Sequence, residues 1–166
     1  MLCLCKRNPG IEFIVSTVAH MDIEIYRKYI PENEYPNLSF ESKLEKLLSD
    51  IDFAIAVSGT ITLQLALHQV PQIVIYRASN LSYRIAKSLI NLDYISLVNL
   101  IEERQVVPEL IQDDLNEDNL QKHFIDYSSR ERRIQTIDDY NSLRHKLGEG
   151  NTSNKIAGKI TEFLKK

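Results

Sequence analysis

Residues 51–77 constrain this chain more than any other stretch. They open with a nearly all-apolar run, Ile51-Asp-Phe-Ala-Ile-Ala-Val57, which reads as a strand buried on both faces, as in a parallel sheet. Ser58-Gly59-Thr60 follows as a turn, and Ile61, Leu63, Leu65, Ala66 and Leu67 are dense enough in apolar character for a helix packed on that sheet. Pro71 ends the helix region, and Ile73, Val74 and Ile75 begin a second buried strand. A strand–turn–helix–strand unit places its turn where the strand's carboxyl end meets the helix's amino end. Free backbone N–H groups and the positive end of the helix dipole meet there, so the position favours an anion such as phosphate. Gly59 permits close approach to the backbone, while the Ser58 and Thr60 hydroxyls can cap the helix or donate to phosphate oxygens. A serine or threonine before a helix is more often a simple cap, so the turn alone is a weak motif.

Size and charge exclude several classes. A chain of 166 residues, 43% hydrophobic and 26% charged, builds one domain with a real core. The net charge of -3 carries no nucleic-acid signature. No apolar run approaches a membrane span. Leu2 to Arg7 puts apolar residues before its charges, the reverse of a signal peptide. Cys3 and Cys5, the sole cysteines, cannot form a disulfide framework or complete a zinc site, which fits a reducing cytoplasm.

The remaining chain alternates strand and helix signals. Residues 11–18 read as a strand, with His20 just beyond it as a solvated loop residue. Residues 21–30 read as a short helix stopped by Pro31, residues 35–40 as a short strand, and Ser39 or Ser42 as the start of a helix buried through Leu44, Leu47 and Leu48. After Arg77, Ser79 or Asn80 caps a helix with Leu81, Ile85, Ala86, Leu89 and Ile90 inward. Residues 94–98 suggest a further strand, and residues 99–112 an irregular polar stretch of the kind that lines sites after buried strands. Asn116 caps a helix with Leu120, Phe124 and Ile125 apolar. A long helix from Ser129 carries Ile134, Ile137, Tyr140, Leu143 and Leu147 inward and stops at Gly148. A last helix runs from Thr152 or Ser153, with Ile156, Ala157, Ile160 and Leu164 inward. The expected fold is α/β: a Rossmann-like parallel sheet with flanking helices, closed by C-terminal helices over residues 128–166. The dinucleotide fingerprint, the nucleophile elbow, the zinc-protease motif and the Walker loop are all absent from the sequence.

Several runs in register resemble a known family. They are Val57-Ser-Gly-Thr-Ile-Thr-Leu-Gln64, Val70-Pro-Gln-Ile-Val-Ile-Tyr-Arg77, Tyr94-Ile-Ser-Leu-Val-Asn-Leu-Ile101, Arg104-Gln-Val-Val-Pro-Glu-Leu-Ile-Gln112, and a tail of Tyr140, Leu143, Leu147, Gly148 and Ala157. Together, from Asn8 to the end, they resemble the later part of lipid-A-disaccharide synthase, a GT-B type glycosyltransferase. The resemblance implies an inverting transfer of 2,3-diacylglucosamine from its UDP-linked donor to 2,3-diacylglucosamine 1-phosphate, a lipid acceptor, with release of UDP. It implies no cofactor and no metal ion. It places Ser58, Gly59 and Thr60 by the UDP pyrophosphate and Asn99 and Arg104 by the donor's phosphates or sugar. Glu109 and Gln112 become ribose or diphosphate contacts. It also implies peripheral association with the cytoplasmic face of the inner membrane and a homodimer through the C-terminal helices. On this reading residues 1–166 are one UDP-sugar-binding domain.

Two departures qualify the resemblance. Gln64 stands where the family usually has glutamate. The chain also begins after the Gly-Ser-Arg loop expected at the start of the donor domain, without the N-terminal acceptor domain. The family's general base belongs to that domain, and none of Asp22, Asp50 or Asp52 matches it. The competing expectations are another GT-B type UDP-N-acetylglucosamine enzyme, or a non-catalytic product of a truncated gene.

Overall fold

The computed structural model describes residues 2–30, 34–79, 93–148 and 152–164. Its first elements are α1 (Leu2–Arg7), β1 (Phe13–Ser16), α2 (Ile23–Arg27), β2 (Leu38–Glu41) and α3 (Leu44–Asp50). The central unit forms as read from the sequence: β3 (Ala54–Val57), α4 (Thr60–Leu67) and β4 (Gln72–Tyr76). Then come α5 (Leu97–Glu102), β5 (Glu109–Ile111), a 3-10 turn (Gln112–Asp114), α6 (Glu117–Ser128), α7 (Arg130–Leu147) and α8 (Thr152–Leu164).

Every strand pairing is parallel, and helices flank the strands, so the α/β Rossmann-like class holds. β4 lies centrally in the order β3-β4-β5, with Val57 opposite Ile75 and Ile75 opposite Leu110. Its Ile73 and Val74 are both fully buried, which explains the lack of alternation in that run. One face packs against α4, α5 and α7 through Ala66, Val98, Val106, Tyr140 and Leu143. The other packs against α1 and α6 through Leu4, Leu120 and Phe124.

The single sheet expected from the alternation is instead two. β1 and β2 form a separate pair, and a cleft of about 810 Å³ opens between β1 and β3. The two sheets share a wall, because Phe124 of α6 meets Phe13 of β1 and Phe53 beside β3, with ring centroids 6.2 and 5.5 Å apart.

Residues 94–98 are not a strand. The Glu109 carboxylate takes the N–H groups of Ile95 and Ser96, and the Ser96 hydroxyl caps α5 at Asn99. Those donors are therefore unavailable to a ladder, and a helix starts. Residues 99–112 are ordered, holding most of α5 and all of β5. Ser39 lies in β2, and α3 begins after Lys43 with no side-chain cap. Asn116, Ser129 and Gly148 do bound their helices as expected, Gly148 with φ of 81°.

Several apolar stripes are only half covered. Tyr140 and Leu143 are buried, while Ile125, Ile134 and Leu147 are exposed. On α8 the inward face expected of Ile156, Ile160 and Leu164 is not covered; all are more than half exposed. The helix expected from Ser79 or Asn80 lies almost wholly outside the described residues.

Candidate functional site at the carboxyl edge of the sheet

Parallel strands gather their carboxyl ends on one edge, and here that edge holds Ser58, Gly59, Arg77 and Gln112. α4 starts there with Gly59 as its N-cap residue and no side chain capping its first turn. Its leading N–H groups thus point outward beside an exposed glycine, with open space where a Cβ would stand. Ser58 is not spent on the helix. Its backbone N–H donates to Ile75 and its hydroxyl donates to the Ile95 carbonyl at 2.7 Å, which ties the 95–96 loop over the corner. Thr62, inside the helix, returns its hydroxyl to the Gly59 carbonyl at 2.7 Å.

β5 supplies two clamps that hold the surrounding loops. Glu109 sends one carboxylate oxygen to Ile95 N–H and the other to Ser96 N–H, both at 2.9 Å. Gln112 grips Ala78 at both backbone groups, accepting from its N–H at 2.7 Å and donating to its carbonyl at 3.1 Å. That grip holds Gln112 in the left-handed region, φ 52°, which a non-glycine residue adopts only when its surroundings enforce it.

The structure does not bring Asn99 and Arg104 to this corner. Asn99 is fully buried, and its amide is saturated. It donates to the Val107 carbonyl and Glu109, and accepts from the N–H groups of Val106 and Val107, all at 2.8–2.9 Å. It pins β5's approach to α5 and has no capacity left for a ligand.

Arg104 follows the carboxyl end of α5, which runs antiparallel to the strands, so it lies at the opposite, amino edge. α7 lies along that edge, with Arg133 reaching Asp52 before β3 and Arg144 reaching the Leu67 carbonyl at the end of α4. There Arg104 pairs with Asp139 at 2.8 Å and Glu102 at 3.5 Å, while Lys146 meets Glu102 at 3.2 Å. The Asp139 hydrogen bond, above all, holds the guanidinium more firmly charged than usual. Two cations face two carboxylates, and the cluster is neutral.

The better-placed cation was missed in the sequence. Arg77 leaves β4 at the carboxyl edge, is exposed, and has no carboxylate partner among the described residues. Among the described residues its guanidinium touches the carbonyls of Gln112 and Leu115, at 3.3 and 3.4 Å. The signal was its position: a charged residue directly after a buried parallel strand. Ser96 was hidden by its apolar neighbours.

The sequence matches the profile of the lipid-A-disaccharide synthetase family over residues 2–162. This chain belongs to that family. Relatives named lipid-A-disaccharide synthase include one from Geobacter sulfurreducens, 31% identical over 169 residues, covering 98% of this chain and 43% of that protein. Another, from Gloeothece citriformis, is 32% identical over 166 residues, covering 96% and 42% respectively. A third, from Nitrosococcus oceani, is 32% identical over 151 residues. The chain therefore spans less than half the length of the curated relatives it matches. Within the lipid-A-disaccharide synthetase family, then, this chain corresponds to a portion in which α4 starts at the carboxyl edge without a side-chain cap, while Arg104, Lys146, Glu102 and Asp139 pair with one another at the amino edge.

Proposed function

We propose that this chain is the nucleotide-sugar-binding part of a glycosyltransferase that moves 2,3-diacylglucosamine from UDP to 2,3-diacylglucosamine 1-phosphate, forming the lipid A disaccharide. The observation that carries the reading is the uncapped start of α4 at the carboxyl edge, in a member of this family. Its N–H groups and dipole suit the donor's diphosphate. Arg77 supplies the counter-charge that the family resemblance implied for Arg104.

The acceptor's hydroxyl oxygen attacks the anomeric carbon. The bond from that carbon to the diphosphate oxygen breaks, and its electron pair leaves with UDP, inverting the centre. The α4 terminus and Arg77 stabilise the charge developing on the leaving diphosphate. The proton taken from the acceptor passes to a base that this chain does not supply. Ser58, Glu109 and Gln112 act by shape: each holds a loop that frames the corner. Residues 1–166 form one such unit, with the acceptor, the base and the membrane contact assigned to the remaining length of the relatives. A cytoplasmic location, peripheral to the membrane, suits this chemistry. No helix among the described residues is long and apolar enough to cross a membrane. The uncovered Ile156, Ile160 and Leu164 on α8 favour pairing of two copies through the C-terminal helices.

Calorimetric titration of UDP into the purified chain tests this reading. Saturable binding is expected, falling at least about tenfold in Gly59→Asp, where a carboxylate would oppose the phosphate at the helix terminus. Arg77→Ala should weaken it several-fold and Arg104→Ala by less than about twofold. Absence of saturable binding, or a loss in Arg104→Ala with none in Gly59→Asp, sinks the proposal.

A further inference from the structure

Three polar side chains, Thr62, Gln72 and Tyr140, lie buried behind the first turn of α4. Gln72 opens β4, where Ile73, Val74 and Ile75 follow it. An amide buried in such a place is costly unless its hydrogen bonds are made. Its Nε2 donates to the Thr62 carbonyl at 2.8 Å and to the Tyr140 hydroxyl at 3.3 Å. Its Oε1 has no partner among the described residues. An apolar side chain of the same size would carry no such cost. Nor does the Thr62 carbonyl need the amide, since it lies within α4 and has the helix's own ladder to accept from. What the amide does is hold Thr62 in place.

Thr62 in turn fixes Gly59. Gly59 has no side chain with which to set its own peptide, and no side chain caps the turn. Thr62 closes on its carbonyl twice, with the backbone N–H at 3.2 Å and the hydroxyl at 2.7 Å. The Gly59–Thr60 peptide is planar and trans, so holding that carbonyl toward the helix sends the Thr60 N–H the other way, along the helix axis. The direction of that N–H thus depends on a run of side chains from Tyr140 of α7 through Gln72 of β4 to Thr62. Burial pushes the Tyr140 phenol far above its ordinary range, so the run stays uncharged.

We propose that Thr62, Gln72 and Tyr140 are positioning residues for the turn at Gly59: they aim the Thr60 N–H at the diphosphate of the nucleotide sugar without touching it. The ligand is that of the nucleotide reading above, on which this assignment rests, whereas the aiming of the turn is a property of the free chain. A serine or threonine cap at residue 59 would stiffen the turn but would occupy N–H groups that an anion needs. A hydroxyl inside the helix stiffens it from behind and leaves the front clear.

Two variants remove the run without leaving a buried group unpaired. Thr62→Val keeps the shape and drops the hydroxyl. Gln72→Met combined with Tyr140→Phe replaces the amide and the phenol by apolar groups of similar size. UDP affinity of the full chain, read by calorimetry, should fall about three- to tenfold in each, while the urea midpoint stays level or rises. Thr62→Ser, which returns the hydroxyl, should recover most of the loss. In the free double variant the Thr62 amide should exchange with solvent at least about threefold faster than in the parent chain. Unchanged UDP affinity in Thr62→Val overturns the proposal, as does an affinity loss that follows a falling midpoint. A parent chain that fails to bind UDP would sink the nucleotide reading alone. The exchange measurement then decides, and an unchanged Thr62 amide overturns the positioning role.

Discussion

The two edges of the central sheet carry similar numbers of polar residues and use them in opposite ways. At the amino edge Arg104, Lys146, Glu102 and Asp139 neutralise one another. At the carboxyl edge Ser58, Glu109 and Gln112 spend their side chains on loop backbone, while α4 starts with no side-chain cap. Polar content therefore does not mark a ligand site; unsatisfied capacity with open approach does. A buried, saturated amide and a paired guanidinium build the frame on which the open corner stands.

The difference can be broken by separating stability from ligand binding. The largest effect should come from Asn99→Ala. It orphans the buried N–H groups of Val106 and Val107 and the Val107 carbonyl, and a loss of about 3 kcal/mol or more is expected in urea unfolding. A loss below about 1 kcal/mol would mean the amide is not the pin described here. Arg104→Ala comes next. It leaves Asp139 nearly buried with Gln135 as its remaining side-chain partner, and should cost about 1–2 kcal/mol while UDP binding stays intact. If UDP binding falls with it, the two edges are coupled and the contrast fails.

The smallest effect is a pH dependence from His123 on α6. Burial first, then Lys122, lowers its pKa from the ordinary 6.5, so the folded chain binds this proton less readily than the unfolded one. Stability therefore rises with pH from the lowered value up to about 6.5 and is lost as pH falls through that window. His123→Gln should flatten the unfolding midpoint across it. An unchanged slope would assign the dependence to other groups.

Much of the architecture was legible because it is local. The apolar runs of β3 and β4, the turn at Gly59, the caps at Asn116 and Ser129 and the stop at Gly148 depend on near neighbours, and all appear where expected. The family could be read from motif runs for the same reason. The misreadings are long-range. Residues 94–98 look like a strand until Glu109 takes the Ile95 and Ser96 amides. The resemblance placed Asn99 and Arg104 by the donor's phosphates or sugar, yet their partners come from residues 106–109 and from α7.

Periodicity and turn chemistry thus settled that this chain makes parallel strands with helices across them and a turn at Ser58-Gly59 that opens a helix, since these follow from side-chain size, spacing and backbone freedom. Folding in three dimensions settled which polar groups stay open. Whether a hydrogen-bonding group is still free depends on every segment that reaches it, and Asp139 meets Arg104 from 35 residues away.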